Sequence, residues 1–390
     1  MLNRRLLRTK AVQAVYSVQL ATASNRLIAI DEINEAFAPD LNSMEPQDRE
    51  KLEGLKKLAI IALDELIIQS EKNESEDVPA ESMRVAKNAF VSYSNLNRAD
   101  EKRILNMILN QSTVLFKEYL NVFALLQSLA SLSQKERDRT YQDPETSIAI
   151  NSGLYSNIYV KSLNANHALQ ADIIRTGAHW DADEEEQIVK KVYRETLRKD
   201  AAYRLYCLRD KHTPAEDQDM FMHVVRKLIL KNEIVTAYFE ARDLYWEDHD
   251  DLMRSMVLKS IKTLDTEGNM QIEAWQEEWE EGKEFVSDLF KYALEANEQF
   301  ETYLNSRVKN WELERITMMD MVIMKVALAE LVNFSGIPVK VSINEYIEIA
   351  KKYSTPKSGK FINGILDVLS EQLIEEGVIR KSGRGLIDNK

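Results

Sequence analysis

The chain has 390 residues, more than one typical core requires, so two or three packed modules are expected. Only 11 Gly and 7 Pro punctuate it, too few turn-formers for a many-stranded sheet, and the composition points to an all-α protein. The single cysteine, Cys207, excludes an intramolecular disulfide and a cysteine-based zinc site, and no apolar run is long enough for a membrane span. A cytoplasmic protein with no membrane association is expected.

The net charge of −13 is unevenly distributed. Residues 1–20 hold Arg4, Arg5, Arg8 and Lys10 without an acid, and residues 336–390 carry +2. Removing those contributions of +4 and +2 leaves −19 for residues 21–335. Basic ends therefore bracket an acidic middle, and distribution rather than the total decides whether a polyanion can bind.

In chain order, the periodicity predicts a first helix over 3–23 with apolar positions at Leu6, Val12, Val15, Tyr16 and Leu20. Helical patterns follow over 50–70 and 98–132, separated by an acidic loop at Lys72–Pro79. The weakest pattern, 134–166, is read as a module boundary. From Asp183 onward helices are expected over 183–210, 214–232, 233–246, 248–264, 270–281, 283–305, 311–334, 342–353 and 356–376.

Residues 232–257 match 297–322 at a constant offset of 65, with nine identities in 26 positions, which reads as duplication of a helical unit. Further on, Ile337-Pro338 ends one helix. Ser342-Ile343-Asn344-Glu345 reads as a capping box opening the next, and Thr355-Pro356 as an N-cap followed by proline at the first helical position. Gly364, inside the last helix, suggests close approach of another backbone.

Three segments, RRLLRTKAVQAVYSVQL at the start, WELERITMMDMVIMKVALAEL, and IPVKVSINEYIEIAKKYSTPKSGKFINGILD, together resemble the bacterial transcription antitermination family NusB. The resemblance covers about 1–23 and 283–377. It divides the chain into a first helix (1–23), an acidic helical insert (24–282) with a NusB-like partial repeat near 214–264, the remainder of the NusB-like domain (283–377), and a flexible tail (378–390).

The resemblance implies a helical bundle of two three-helix subdomains with an additional helical insert. It also implies no catalysis, no cofactor and no small-molecule substrate. The partners it implies are the ribosomal protein NusE, boxA-type single-stranded RNA in ribosomal RNA transcripts, and the RNA polymerase antitermination complex. The RNA-contacting positions carried over are Arg4, Arg5, Arg8, Lys360 and Phe361, with Lys357 added in a loop where the family often has an acid. Tyr16 and Asp320 fall where the family faces the ribosomal protein. Leu7 departs from the small residue usual before the third arginine.

Physical chemistry supports the same residues, because single-stranded RNA needs cations along its backbone and planar groups for stacking. Arg4 and Arg8 share a helix face, with Arg5 about 100° round. The plain alternative is a solvated basic helix start, and for Lys351, Lys352, Lys357 and Lys360 a cationic helix end that suits the macrodipole. Tyr16 and Phe361 are equally compatible with a core role, and Asp320 with a surface carboxylate.

Catalytic chemistry finds no support. His167, His179, His212, His223 and His249 lack metal-ligand spacing, and no glycine-rich phosphate loop occurs. Glu184–Glu186 and Glu277-Glu278 read as solvated faces, and Trp275 with Trp279 as packing. An RNA cytosine methyltransferase would need a dinucleotide-type domain and a catalytic cysteine, which leaves a helical protein-interaction scaffold as the alternative to an RNA-binding factor.

Overall fold

The computed structural model describes residues 4–39, 47–69, 78–142, 151–272, 275–308 and 316–387. Among them the regular structure is helical: fifteen α-helices, two 3₁₀ segments and one π-helical stretch. No helix among the described residues is long and apolar enough to cross a membrane. The chain forms two compact units, one built from Leu109–Glu281 and the other from Arg4–Ile108 with Gly282–Lys390. Residues 4–23 and 283–377 thus fall in one unit, together with residues 24–108.

The first helix, α1 (Arg4–Ala36), runs well past the expected end at Ala23. No glycine or proline interrupts it before Pro39, and Asn25, a residue suited to ending helices, instead uses its side-chain amide on Asn97 and Asp100. With α2 (Arg49–Gln69) and the first part of α3 (Ala80–Gln142) it forms a hairpin-like trio. Its core is Ala29, Ile33, Phe37, Ala59, Leu63, Ala86 and Ala89. The helix expected at 98–132 is the middle of the 63-residue α3. The expected loop at Lys72–Pro79 lies outside the described residues up to 77.

The rest of that unit comprises α11 (Trp275–Glu295, from Gly282), α12 (Asn297–Val308), α13 (Met318–Asn333), α14 (Val339–Tyr353) and α15 (Ser358–Glu375). At its centre stands α13, buried continuously from Val322 to Leu331, as befits a helix apolar on all sides. The buried face of α1, Leu7 to Val18, packs on it.

The other unit holds the remainder of α3, then α4 (Ile158–Ala165), α5 (His167–Thr176), α6 (Asp183–Glu195), α7 (Ala201–Cys207), α8 (Pro214–His223), α9 (Glu233–Glu240) and α10 (Trp246–Thr263). The helix expected over 183–210 is broken. After a 3₁₀ turn at Leu197–Lys199, Asp200 caps α7 by accepting from the Tyr203 amide. Aromatic stacking fills this core: Trp180 lies 4.4 Å from Tyr238, and Phe239 lies 5.1 Å from Trp246. Tyr119 bonds Ser260 at 2.7 Å.

Several local expectations change. α14 starts at Val339 and Pro338 precedes it, so Ser342 and Glu345 form no capping box: both side chains are engaged elsewhere, as described below. α15 starts at Ser358 rather than at Pro356, because the Thr355 and Ser358 hydroxyls bond each other at 2.8 Å and shift the turn. Gly364 is exposed with open space around it, so no backbone crowds it. Glu184 and Glu185 pair with Arg242, and Glu186 with Lys190, so this acidic run is partly tied down. The side chains of Trp275, Glu277, Glu278 and Trp279 lie outside the described residues. So does 309–315 of the second repeat copy, including Trp311.

Within the segment expected to be a tail, Lys381 and Ser382 make hydrogen bonds to the α13–α14 connection. The Ser382 amide donates to the Ser335 carbonyl at 3.0 Å and Lys381 Nζ to the Phe334 carbonyl at 3.0 Å.

Candidate nucleic-acid interface

The site grows from the first turns of α1. Arg4 and Arg5 are exposed, whereas Arg8, one turn on, is enclosed at 3% exposure. Leu7, Ala11 and Val15 turn one side of α1 into the core, and Arg8, on the same face as Arg4 but one turn further along, is enclosed with them.

A buried carboxylate on α13 satisfies it. Arg8 Nε and Nη2 donate to Glu330 Oε2 and Oε1 at 2.7 and 2.9 Å. Ser342 Oγ adds a third donor at 2.5 Å and Tyr346 OH a fourth at 3.0 Å, so each carboxylate oxygen accepts twice. Burial opposes the Arg8 charge, and the Glu330 hydrogen bonds and charge outweigh it, so the arginine pKa stands above its ordinary value. Burial, reinforced by Glu330, holds the Tyr346 phenol protonated. The expectation of an RNA contact from Arg8 is therefore corrected: its guanidinium is consumed inside the fold.

Arg5 is shared. It grips Glu345 on α14 at 2.8 and 3.1 Å with about half of its side chain still exposed. That hydrogen bond holds the Glu345 carboxyl below the usual range. The guanidinium carbons of Arg4 and Arg8 each lie 5.6 Å from the centre of the Phe285 ring, a cation–π arrangement that steadies the helix start.

The second basic group stands where α14 turns into α15. Lys351, Lys352, Lys357 and Lys360 are exposed and Phe361 is half-buried. Gly359 at the start of α15 faces α14, where a Cβ would meet Lys351 Cγ at 3.5 Å and Ile347 Cγ2 at 3.6 Å, ordinary packing distances. Both basic groups thus lie against α14. They approach it from different sides, because Ile347 and Lys351 lie roughly 160° and 120° round the helix from Glu345.

Asp320 is buried, and its carboxylate accepts from Ser354 Oγ at 2.7 Å. Ser354 in turn lies 3.1 Å from Ser358 Oγ, and Thr317 Oγ1 caps α13 by accepting from the Asp320 amide. The group clasps the starts of α13 and α15 to the end of α14. Asp320 as placed is a clasp residue, with its carboxylate withdrawn from any partner's reach. Tyr16 lies half-buried on α1.

Sequence reasoning missed Glu330, Ser342, Tyr346 and Phe285. One signal was present: Glu330 and Lys325 are charges set in the otherwise apolar MVIMKVALAELV, and such charges are paired when buried. Lys325, also buried, is held by Glu301.

The fold defines an all-α domain that presents arginines and lysines from both ends of the sequence on different sides of α14. Comparison makes the class specific. Residues 252–371 match the NusB family. The chain is similar to the transcription antitermination protein NusB of Chloroherpeton thalassium, with 43% identity over 106 residues, 27% of this chain and 50% of that protein. It is 41% identical to the one from Salinibacter ruber over 105 residues, 27% of this chain and 66% of that protein. To that of Methylacidiphilum infernorum it is 45% identical over 102 residues, 26% of this chain and 65% of the relative. The chain thus spans half to about two thirds of these relatives' own length. No solved structure matches it.

Proposed function

We propose that the protein is a non-enzymatic, cytoplasmic RNA-binding factor in transcription antitermination. It binds boxA-type single-stranded RNA of ribosomal RNA transcripts together with the ribosomal protein NusE, and supports read-through by RNA polymerase. The observation that carries this reading is the match to the NusB family over 252–371, coupled to a chain start that exposes Arg4 and Arg5 against the same helix, α14, that Lys357 and Lys360 lie against. The RNA surface comprises Arg4, Arg5, Lys357, Lys360 and Phe361, with Tyr16 on the side given to the ribosomal protein.

Few exposed cations give little binding energy each, so the chain alone holds a short RNA weakly and a basic ribosomal partner strengthens it. The acidic excess of residues 21–335 favours encounter with such a partner. The test is filter binding of boxA-like RNA to the chain with and without NusE. Changing Arg4, Arg5, Lys357 and Lys360 to Gln lowers affinity and reduces the log–log salt slope by roughly 0.7 per lost phosphate contact. Association with NusE that leaves RNA affinity unchanged sinks the reading. The enclosure of Arg8 and Asp320 favours the second reading, a helical protein-interaction scaffold without RNA binding, and that outcome selects it.

A further inference from the structure

The two basic groups are joined by an acidic strip on α14 that the reading above leaves unused. Glu348 lies about 60° round that helix from Glu345, and Lys351 about another 60° on. The three side chains therefore wind from the Arg5 side toward the side of Lys357 and Lys360 within roughly 9 Å of helix. All are engaged. Arg5 grips Glu345 through two hydrogen bonds, and Lys351 Nζ donates to Glu348 Oε1 at 2.5 Å. Glu348 also acts on the Arg5 charge, and its own carboxyl is held below the usual range chiefly by the Lys351 hydrogen bond.

Neither pair is closed to solvent. Side-chain exposure is 47% for Arg5 and 22% for Glu345, and 60% for Lys351 and 43% for Glu348. Exposed pairs of this kind are weak, so another anion can take the place of either carboxylate at small cost. Arg8 and Glu330, enclosed in the core, have no such freedom. A carboxylate held by two N–H groups of one guanidinium also meets the same fork that would receive a phosphate. Glu345 thus stands on Arg5 where a phosphate would stand.

We propose that Glu345 and Glu348 are specificity-determining residues of the RNA surface: they occupy Arg5 and Lys351 in the free protein and yield only to an anion long enough to replace both. The inference rests on the RNA-binding reading for its ligand, and it adds Lys351 to the residues that reading uses. A single anion that takes one cation leaves the displaced carboxylate unpaired beside it and still repelled, so it gains little. Successive phosphates of one strand reach both cations, and the second contact is made by a ligand already held at the first. The carboxylates therefore act against small anions and let a polyanion through.

The test uses the full chain and the boxA-like RNA in filter binding at several salt concentrations. The variant E345Q/E348Q keeps both side-chain lengths and releases both cations. It should bind the RNA about tenfold more tightly, at roughly threefold for each exposed pair, and steepen the log–log salt slope by up to about 1.4, at roughly 0.7 per contact. E371Q/E375Q, which removes the same charge from exposed positions of α15, should stay within about twofold of wild type. At constant ionic strength, inorganic phosphate should compete with the RNA better for E345Q/E348Q than for wild type. Equal affinity of the two double variants would reduce the effect to net charge and overturn the proposal, as would equal competition by phosphate. Weaker binding by E345Q/E348Q would also overturn it, leaving Glu345 as a residue that aims Arg5. The variant R4Q/R5Q/K357Q/K360Q separates the proposal from the reading beneath it. Wild-type affinity in that variant sinks the terminal site and this inference with it, whereas lost affinity there beside an unaltered E345Q/E348Q sinks the inference alone.

Discussion

Arg8 and Glu330 are 322 positions apart in sequence and joined by two parallel hydrogen bonds of 2.7 and 2.9 Å in a water-excluded core. The pair locks α1 onto α13 and fixes its rotation, which is why Arg4 and Arg5 face outward. A buried ion pair is a weak source of net stability, yet breaking one side of it is costly, because the remaining charge has no solvent. Arg8→Ala should therefore destabilise the fold by about 3–5 kcal/mol. The double change Arg8→Met with Glu330→Leu should cost much less than either single change. Urea unfolding followed by circular dichroism measures both, and equal costs for the single and double variants would contradict the account.

The Arg5–Glu345 pair behaves differently because it is half-exposed. Its Coulomb energy is screened, and a contribution under about 1 kcal/mol is expected. The Glu345 carboxyl sits below its ordinary range, chiefly through the Arg5 hydrogen bond. A carboxyl whose folded-state pKa is depressed contributes stability above its unfolded value near 4.3, and that contribution is lost as pH falls through the folded value. Glu345→Gln should lower stability slightly at pH 7 and not at all near pH 2. A deficit that persists in acid would assign the side chain some role other than this charge.

Much of this was legible in the chain. Few turn-formers and sustained periodicity mark an all-α fold, and the helices expected over 342–353 and 356–376 follow the apolar pattern closely, whereas those expected over 270–281 and 283–305 appear as α11 and α12 with the break at Ala296. Helix ends were less legible: Asn25, Ser342 and Glu345 are residue types suited to capping, and tertiary partners engage each of them instead. The fate of Arg8 was hidden for a related reason. Periodicity places it on the same face as Arg4, but only the position of Glu330 on another helix decides which of the two is enclosed.

Gly364 lies in an exposed helical position with nothing within 4 Å of where a Cβ would stand. It is not among the glycines with positive φ. Glycine there costs conformational entropy and gains no packing. Gly364→Ala should stabilise the protein by about 0.5–1 kcal/mol, read as a higher midpoint in urea. Because an added methyl leaves the charge of Lys360 unchanged, RNA affinity should be unaltered. Destabilisation would mean that the last helix is packed more tightly along this face than its open surroundings indicate.

The opposite sign is expected at Gly385. A Cβ built there would lie 2.1 Å from the Ser335 carbonyl oxygen, a backbone atom that cannot step aside as a flexible side chain would. The same carbonyl accepts from the Ser382 amide, and Lys381, whose pKa burial pushes down, donates to the neighbouring Phe334 carbonyl. Gly385→Ala must therefore displace the last turn and strain the contacts that fasten residues 381–385 to the α13–α14 connection. Those contacts are few, and three hydrogen bonds at about 1 kcal/mol each set the ceiling on their worth. The expected outcome is local: faster cleavage after Arg380, Lys381 and Arg384 by trypsin, with the global unfolding midpoint lowered by no more than those bonds allow. Serine at the same position should behave like alanine, since the clash is with the Cβ itself. Cleavage at the wild-type rate in both variants would show that the chain end is released from Ser335 in solution.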